Sequence, residues 1–293
     1  MKHSIKLVII LLSIFFISQY VGLAVVNQYI DHETTNATRT TRFENLPLGE
    51  RPEFEEQTAY IPVLIAVLIG TVILLGIIRF GAMRLWKLWF SLALFMTITT
   101  SIAALTNTTI AIIIAMILTA WRVFKNNPII HNTTEPLVYA GIAAIFVPIF
   151  NLWSMSILLI LISLYDAYAV WKSKHMIKLA MAQKSAGIFA GLQIPYQWSW
   201  KKSSSIKDTQ NKTESTKTKN VDKNHPEYKI IKSKEVKNHS AILGGGDIAF
   251  PLLFAGVLLK DFSMTAALIL PIFATASLAI LFYYSEKKKF YPA

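Results

Sequence analysis

Two aspartates lie inside apolar runs of the sequence. One is in Ser163-Leu164-Tyr165-Asp166-Ala167-Tyr168, the other in Ala241-Ile242-Leu243-Gly244-Gly245-Gly246-Asp247-Ile248-Ala249-Phe250. An ionisable group in a membrane-length apolar segment is costly, so by default it marks a functional site with a partner. No Lys, Arg or His falls in the middle of a predicted span to pair with either one, although Asp166 is within snorkelling reach of Lys172, so each Asp is read as the other's partner. Two carboxylates a few ångströms apart cannot both ionise, and such a pair shares one proton. The ionised member can act as general base on water while the protonated member polarises a scissile carbonyl, which is peptide hydrolysis without a metal. Tyr165 either donates a hydrogen bond at this site or only packs. Gly244, Gly245 and Gly246 make a weak helical start, each about 1 kcal/mol less favourable than alanine within a helix. They read equally as an unwound entry that lets a substrate segment approach the backbone, or as small residues that permit tight helix packing.

The elements that must position these groups follow from composition. The 293 residues are 54% hydrophobic and only 16% charged, against about a quarter charged in a soluble domain. Continuous apolar runs of membrane length follow one another, where barrel strands would alternate at period two, so the fold class is an all-α polytopic membrane protein. Eight spans are expected, at about residues 7–26, 59–78, 88–105, 110–121, 136–150, 154–171, 240–259 and 262–284. The first follows Lys2 and Lys6, is too long for a signal-peptide core, and is read as a signal anchor. Residues 31–57 are expected to form an outer loop, with a sequon of low specificity at Asn36-Ala37-Thr38. Residues 128–135 are read as a short connector, with Pro148 kinking the end of the fifth helix. A helix on the membrane surface is one reading of residues 176–194, and 199–238 is read as low-complexity and disordered.

With the N-terminus inside, cytoplasmic segments hold every Lys and Arg except Arg39, Arg42, Arg51 and Lys260, a strong positive-inside bias. Both ends of the chain are then cytoplasmic in a cell-membrane protein. Fifteen of the 29 Lys and Arg lie between Lys172 and Lys237, part of a net charge of +12. This is read as a cytoplasmic loop facing anionic lipid, with no nucleic acid partner. Three parts are expected: 1–171 with six helices and Tyr165-Asp166, the basic loop 172–239, and 240–293 with two helices and the glycine-aspartate run. At helical rise, Asp166 lies roughly 9 Å and Asp247 roughly 10 Å from the cytoplasmic ends of their helices, a shared depth.

At these residues the sequence resembles the presenilin and signal peptide peptidase family of intramembrane aspartyl proteases, most closely its archaeal members. The family pairs a Tyr-Asp in helix six with a Gly-x-Gly-Asp in helix seven, matched here by Tyr165-Asp166 and by Gly244-Gly245-Gly246-Asp247. The resemblance implies a presenilin-like bundle in which Asp166 and Asp247 are catalytic, with no cofactor. It also implies cleavage of single-span membrane proteins or remnant signal peptides. The family's ninth helix begins with Pro-Ala-Leu and completes the active site. Pro292-Ala293 stand where that motif would start, so they are expected to be its substrate-positioning stub in a chain truncated before the ninth helix. Pro271 is the weaker candidate, because it lies inside the eighth span.

Competing chemistries are narrowed by residue type. Cysteine is absent, which excludes thiolate catalysis, disulfides and Cys-ligated metals. No metal site is expected, since His32-Glu33 continues as Thr34-Thr35-Asn36 rather than completing a zinc-protease motif. No histidine is expected within a span to serve Ser/His catalysis. Membrane-border prepilin or preflagellin peptidases share the Gly-x-Gly-Asp, but commonly follow it with a charged residue, unlike Ile248-Ala249-Phe250. A channel or transporter using the two Asp for ions or protons is the alternative from another class.

Overall fold

The computed structural model describes residues 5–125, 127–172, 189–195 and 240–284, with isolated positions at 179, 183 and 187. The helices are α1 (Ile5–Gln28), α2 (His32–Thr38), α3 (Tyr60–Arg79), α4 (Met83–Ala103), α5 (Thr108–Phe124), α6 (Pro128–Phe146), α7 (Leu152–Ala167), α8 (Gly245–Asp261) and α9 (Met264–Tyr284). The eight expected spans correspond to all of these except α2, a short helix inside the expected outer loop. Asp31 caps α2 by accepting from the Thr34 amide at 3.0 Å, and Arg39 ends it in the left-handed conformation at φ 55°. Expectations for 199–238, and for Pro292 and Ala293, fall outside the described residues.

The centre of the bundle is α1, α6 and α8. α1 buries one stripe at helical spacing, Leu7, Leu11, Phe15, Gly22 and Val26, and packs on α6, α8 and α9. α6 buries Asn132, Thr134, Glu135, Val138, Tyr139, Ala140, Gly141, Ala143 and Ala144, a face too rich in small residues to hold another helix far away. At Gly141 the backbone of α4 comes so close that a methyl group would run into the carbonyl of Thr97. By contrast α3 buries only Leu74 and Ile77. By length and composition, five helical segments among the described residues suit a membrane crossing: α1, α3, α4, the run Leu152–Lys172, and α9. At 17 residues, α5 is shorter. α6 and α8 are not in that set: α6 carries polar groups inward, and α8 has 17 residues with Asp247, Lys260 and Asp261 among them.

Three expectations are corrected. The stretch 128–135 is helix, not connector: Asn127 accepts from the Ile129 amide at 2.9 Å, Pro128 occupies the first turn, and Pro136 is carried inside the helix. Pro at the first turn loses no intrahelical bond, so the polar sequence could be helical after all. Among the described residues the all-helical bundle also carries one short two-stranded sheet. Gly191–Pro195 forms β1, at the end of the stretch 176–194 for which a surface helix was one reading and most of which lies outside the described residues. It pairs antiparallel with β2, Ser240–Gly244, in the register Gly191↔Gly244 to Pro195↔Ser240. Leu192, Ile194, Ala241 and Leu243 alternate into the main core, beside Leu7 and Leu11 of α1. Because β2 occupies 240–244, the seventh span begins at Gly245, and the depth of Asp247 cannot be counted at helical rise from Ser240. Pro148 does end the fifth helix, within a 3-10 turn at Val147–Ile149.

The far end of α8 is bolted to the α6–α7 corner. Lys260 Nζ donates to Phe150 O at 3.0 Å and pairs with Glu56 at 2.9 Å, while Asp261 accepts from the Leu152 amide at 2.9 Å. α7 then starts from a reciprocal cap between Asn151 and Ser154.

Candidate active site

Asp247 is set by the switch from β2 to α8. Gly244 is still extended, at φ −63° and ψ 149°, and Asp247 is the third residue of the helix that follows. Its Oδ2 accepts from the Gly244 amide at 3.2 Å, satisfying one donor at the open end of the helix. A first-turn acid is also well placed in the field of the helix. Pro251, one turn on, brings no N–H for the Asp247 carbonyl, so the helix is locally open there. Next to it, Gln19 of α1 donates from Nε2 to Ile248 O at 2.9 Å. Gln19 is fully buried, and its Oε1 has no partner among the described residues.

The three glycines are not equivalent. A Cβ on Gly245 would stand 2.9 Å from the Tyr139 hydroxyl, and one on Gly244 3.0 Å from Asp247 Oδ2. One on Gly246 would meet nothing nearer than the Phe250 ring at 3.4 Å.

Asp166 is the second-last residue of α7, where the α-helix gives way to a π-helical turn over Tyr168–Lys172. α7 buries Ser154, Met155, Leu158 and Ile162, and the residues around Asp166 are only partly buried or exposed. α7 packs directly on α8. The two carboxylates are near enough for the charge of Asp166 to act on Asp247. The Tyr165 hydroxyl lies 3.1 Å from Thr71 Oγ1 of α3, donating to it. Pro271 lies inside α9.

A buried polar network was missed by sequence reasoning. Arg122 of α5 makes an ion pair with Glu135 of α6 and donates to Thr134 Oγ1 at 2.8 Å. Arg122 is 6% exposed and Glu135 1%. His131 lies within α6, contrary to the expectation that no histidine falls in a span, and its Nε2 is 2.7 Å from Gly191 O. Asn132 imitates a strand residue: Nδ2 donates to Gln193 O at 2.9 Å, and Oδ1 accepts from Gln193 N at 3.0 Å. The signal was the spacing of His131, Asn132, Glu135 and Tyr139 on one helix face, hidden because the polar residues looked like a loop.

A solved structure of a presenilin family intramembrane aspartate protease is similar over 94% of this chain and 87% of its own, with a TM-score of 0.54 and 18% identity. At that identity the likeness speaks for the fold alone. No curated protein matches the chain. The family model described as signal-peptide peptidase, presenilin aspartyl protease matches residues 49–281, most of the sequence. A multi-pass membrane bundle, two acids on adjoining helices and that match make the chain a member of the signal-peptide peptidase and presenilin aspartyl protease family.

Proposed function

We propose that the chain hydrolyses peptide bonds of transmembrane helices, or of remnant signal peptides, with Asp166 and Asp247 as a metal-free pair. The observation that carries this reading is that the two helices carrying the carboxylates, α7 and α8, pack directly on each other. With one proton between them, the ionised carboxylate takes a proton from water as the oxygen attacks the scissile carbonyl carbon. The protonated carboxylate gives its proton to the carbonyl oxygen, and a tetrahedral diol forms. Collapse returns a diol proton to one carboxylate while the other protonates the leaving nitrogen. The C–N bond breaks, and the pair again holds one proton. Gly244 to Gly246 and Tyr165 support the site in this reading, and Pro292-Ala293 help to position substrate. The N-terminus and residues 172–239 are cytoplasmic, the latter facing anionic lipid.

The test reconstitutes the protein with a helical reporter substrate. Asp166→Asn and Asp247→Asn should each abolish cleavage while folding survives, and a hydroxyl-bearing transition-state isostere should inhibit the parent. Undiminished cleavage in either variant overturns the assignment. So does Asp-dependent ion flux in place of cleavage.

A further inference from the structure

Tyr139 of α6 is 4% exposed, and its hydroxyl makes no hydrogen bond of ordinary geometry among the described residues, its nearest carboxylate on α6 being Glu135, one turn back. A buried hydroxyl in that condition is destabilising, and phenylalanine would fill the same space without the cost. Its position is nonetheless specific. The oxygen lies against Gly245, the first residue of α8, where it would be 2.9 Å from an added Cβ. Asp247, two residues further on, is close enough for its charge to act on the phenol. One turn back on α6, Glu135 is engaged by Arg122, which holds the helix face that carries Tyr139. Asp247 already accepts from Gly244, and a carboxylate has room for a further donor.

We propose that Tyr139 is a positioning residue for Asp247. Its hydroxyl is the stop against which the glycine start of α8 seats. It is also the donor that the Asp247 carboxylate engages as the two acids close on a peptide. The donor role rests on the two-aspartate reading above; the seat does not. The seat also gives position 245 its own reason to be glycine, since a methyl group there would press on the phenol oxygen.

The test uses the full chain in a bilayer, with kcat and KM measured separately on the reporter substrate. Tyr139→Phe should lower kcat about tenfold with KM within about twofold, and leave Tm unchanged or higher. Parental kcat in that variant overturns the donor role, and so does a fall in kcat accompanied by a fall in Tm, which is the mark of packing. Gly245→Ala tests the seat without any cleavage assay. Alanine is the better helix former, so a lower Tm reports the contact. Combining it with Tyr139→Phe should recover most of that loss. An equal change in both backgrounds overturns the seat. If the parent shows no Asp247-dependent cleavage, the two-aspartate reading and the donor role fall together, and the Tm pair still decides the seat.

Discussion

The two acids of the candidate site are held in opposite ways. Asp247 stands on α8, whose Ile248, Leu252, Leu253, Ala255 and Val257 are buried, and its surroundings are fixed by Gln19, Tyr139 and the sheet. Asp166 stands on a less covered stretch of α7, half-buried between Leu164, 64% exposed, and Tyr168, 54% exposed, before the chain is buried again at Ala169 and Val170. Its neighbour Tyr165 hydrogen-bonds to α3, a helix with two buried residues. One acid is therefore part of the frame, and the other sits on an arm. Stability and local opening track buried apolar contact, so adjustment of the pair around a substrate falls to Asp166.

The largest expected effect tests whether the contrast matters to chemistry. Asp166→Asn and Asp247→Asn should each cost at least about 10³-fold in kcat, since neither half of a proton-sharing pair works alone. A large difference between them would mean that the framed acid works without the arm. Stability should separate the two regions sharply. Glu135→Ala leaves Arg122 buried without its partner and should cost about 3–5 kcal/mol, read as reversible unfolding in detergent. Replacing both residues with apolar side chains of similar size should recover most of it. Gly141→Ala, which forces α4 off α6, should cost about 1–3 kcal/mol. On the arm, Thr71→Val removes two part-buried hydrogen bonds, from the Tyr165 hydroxyl and to Val67 O, and should cost only about 1–2 kcal/mol, while changing the cleavage rate more than Gly141→Ala does. Smallest of all, Val72→Ala, at a side chain 69% exposed, should stay within about 0.5 kcal/mol. Equal stability losses at Glu135 and Thr71 would erase the distinction between frame and arm.

The same contrast decides what could be read in advance. The arm and the rim were legible because apolar length alone defines α3, α4 and α9, and Asp166 and Asp247 stood out against such surroundings. The frame was not. His131, Asn132 and Glu135 lower the hydropathy of α6, and averaging cannot separate a polar residue paired inside a bundle from one in a loop. Arg122 looked like the charged exit of its helix, yet it is turned inward onto Glu135. β1 and β2 were hidden for a different reason. Each is five residues long, and Leu192 and Ile194 alternate properly, but their pairing with Ala241 and Leu243 spans a long separation that no local window sees. The match in depth between the acids was argued from helical rise through 240–244, which is strand. Their proximity comes instead from α7 packing on α8.

The lengths of the helices have a consequence for the host membrane. α3 has 20 residues and spans about 30 Å, the thickness of a typical hydrocarbon core. α8 has 17 and reaches only about 25 Å before strand takes over. Extended backbone at that level is tolerated only where protein or water surrounds it. α8 is therefore built to a shorter thickness than α3, while α1 beside it, at 24 residues, is longer than either. A bilayer a few ångströms thinner would be accommodated by tilting α3, α4 and α9. α8, shielded and already short, would keep its length, so sorting between membranes acts on the longer outer helices and leaves α8 unchanged.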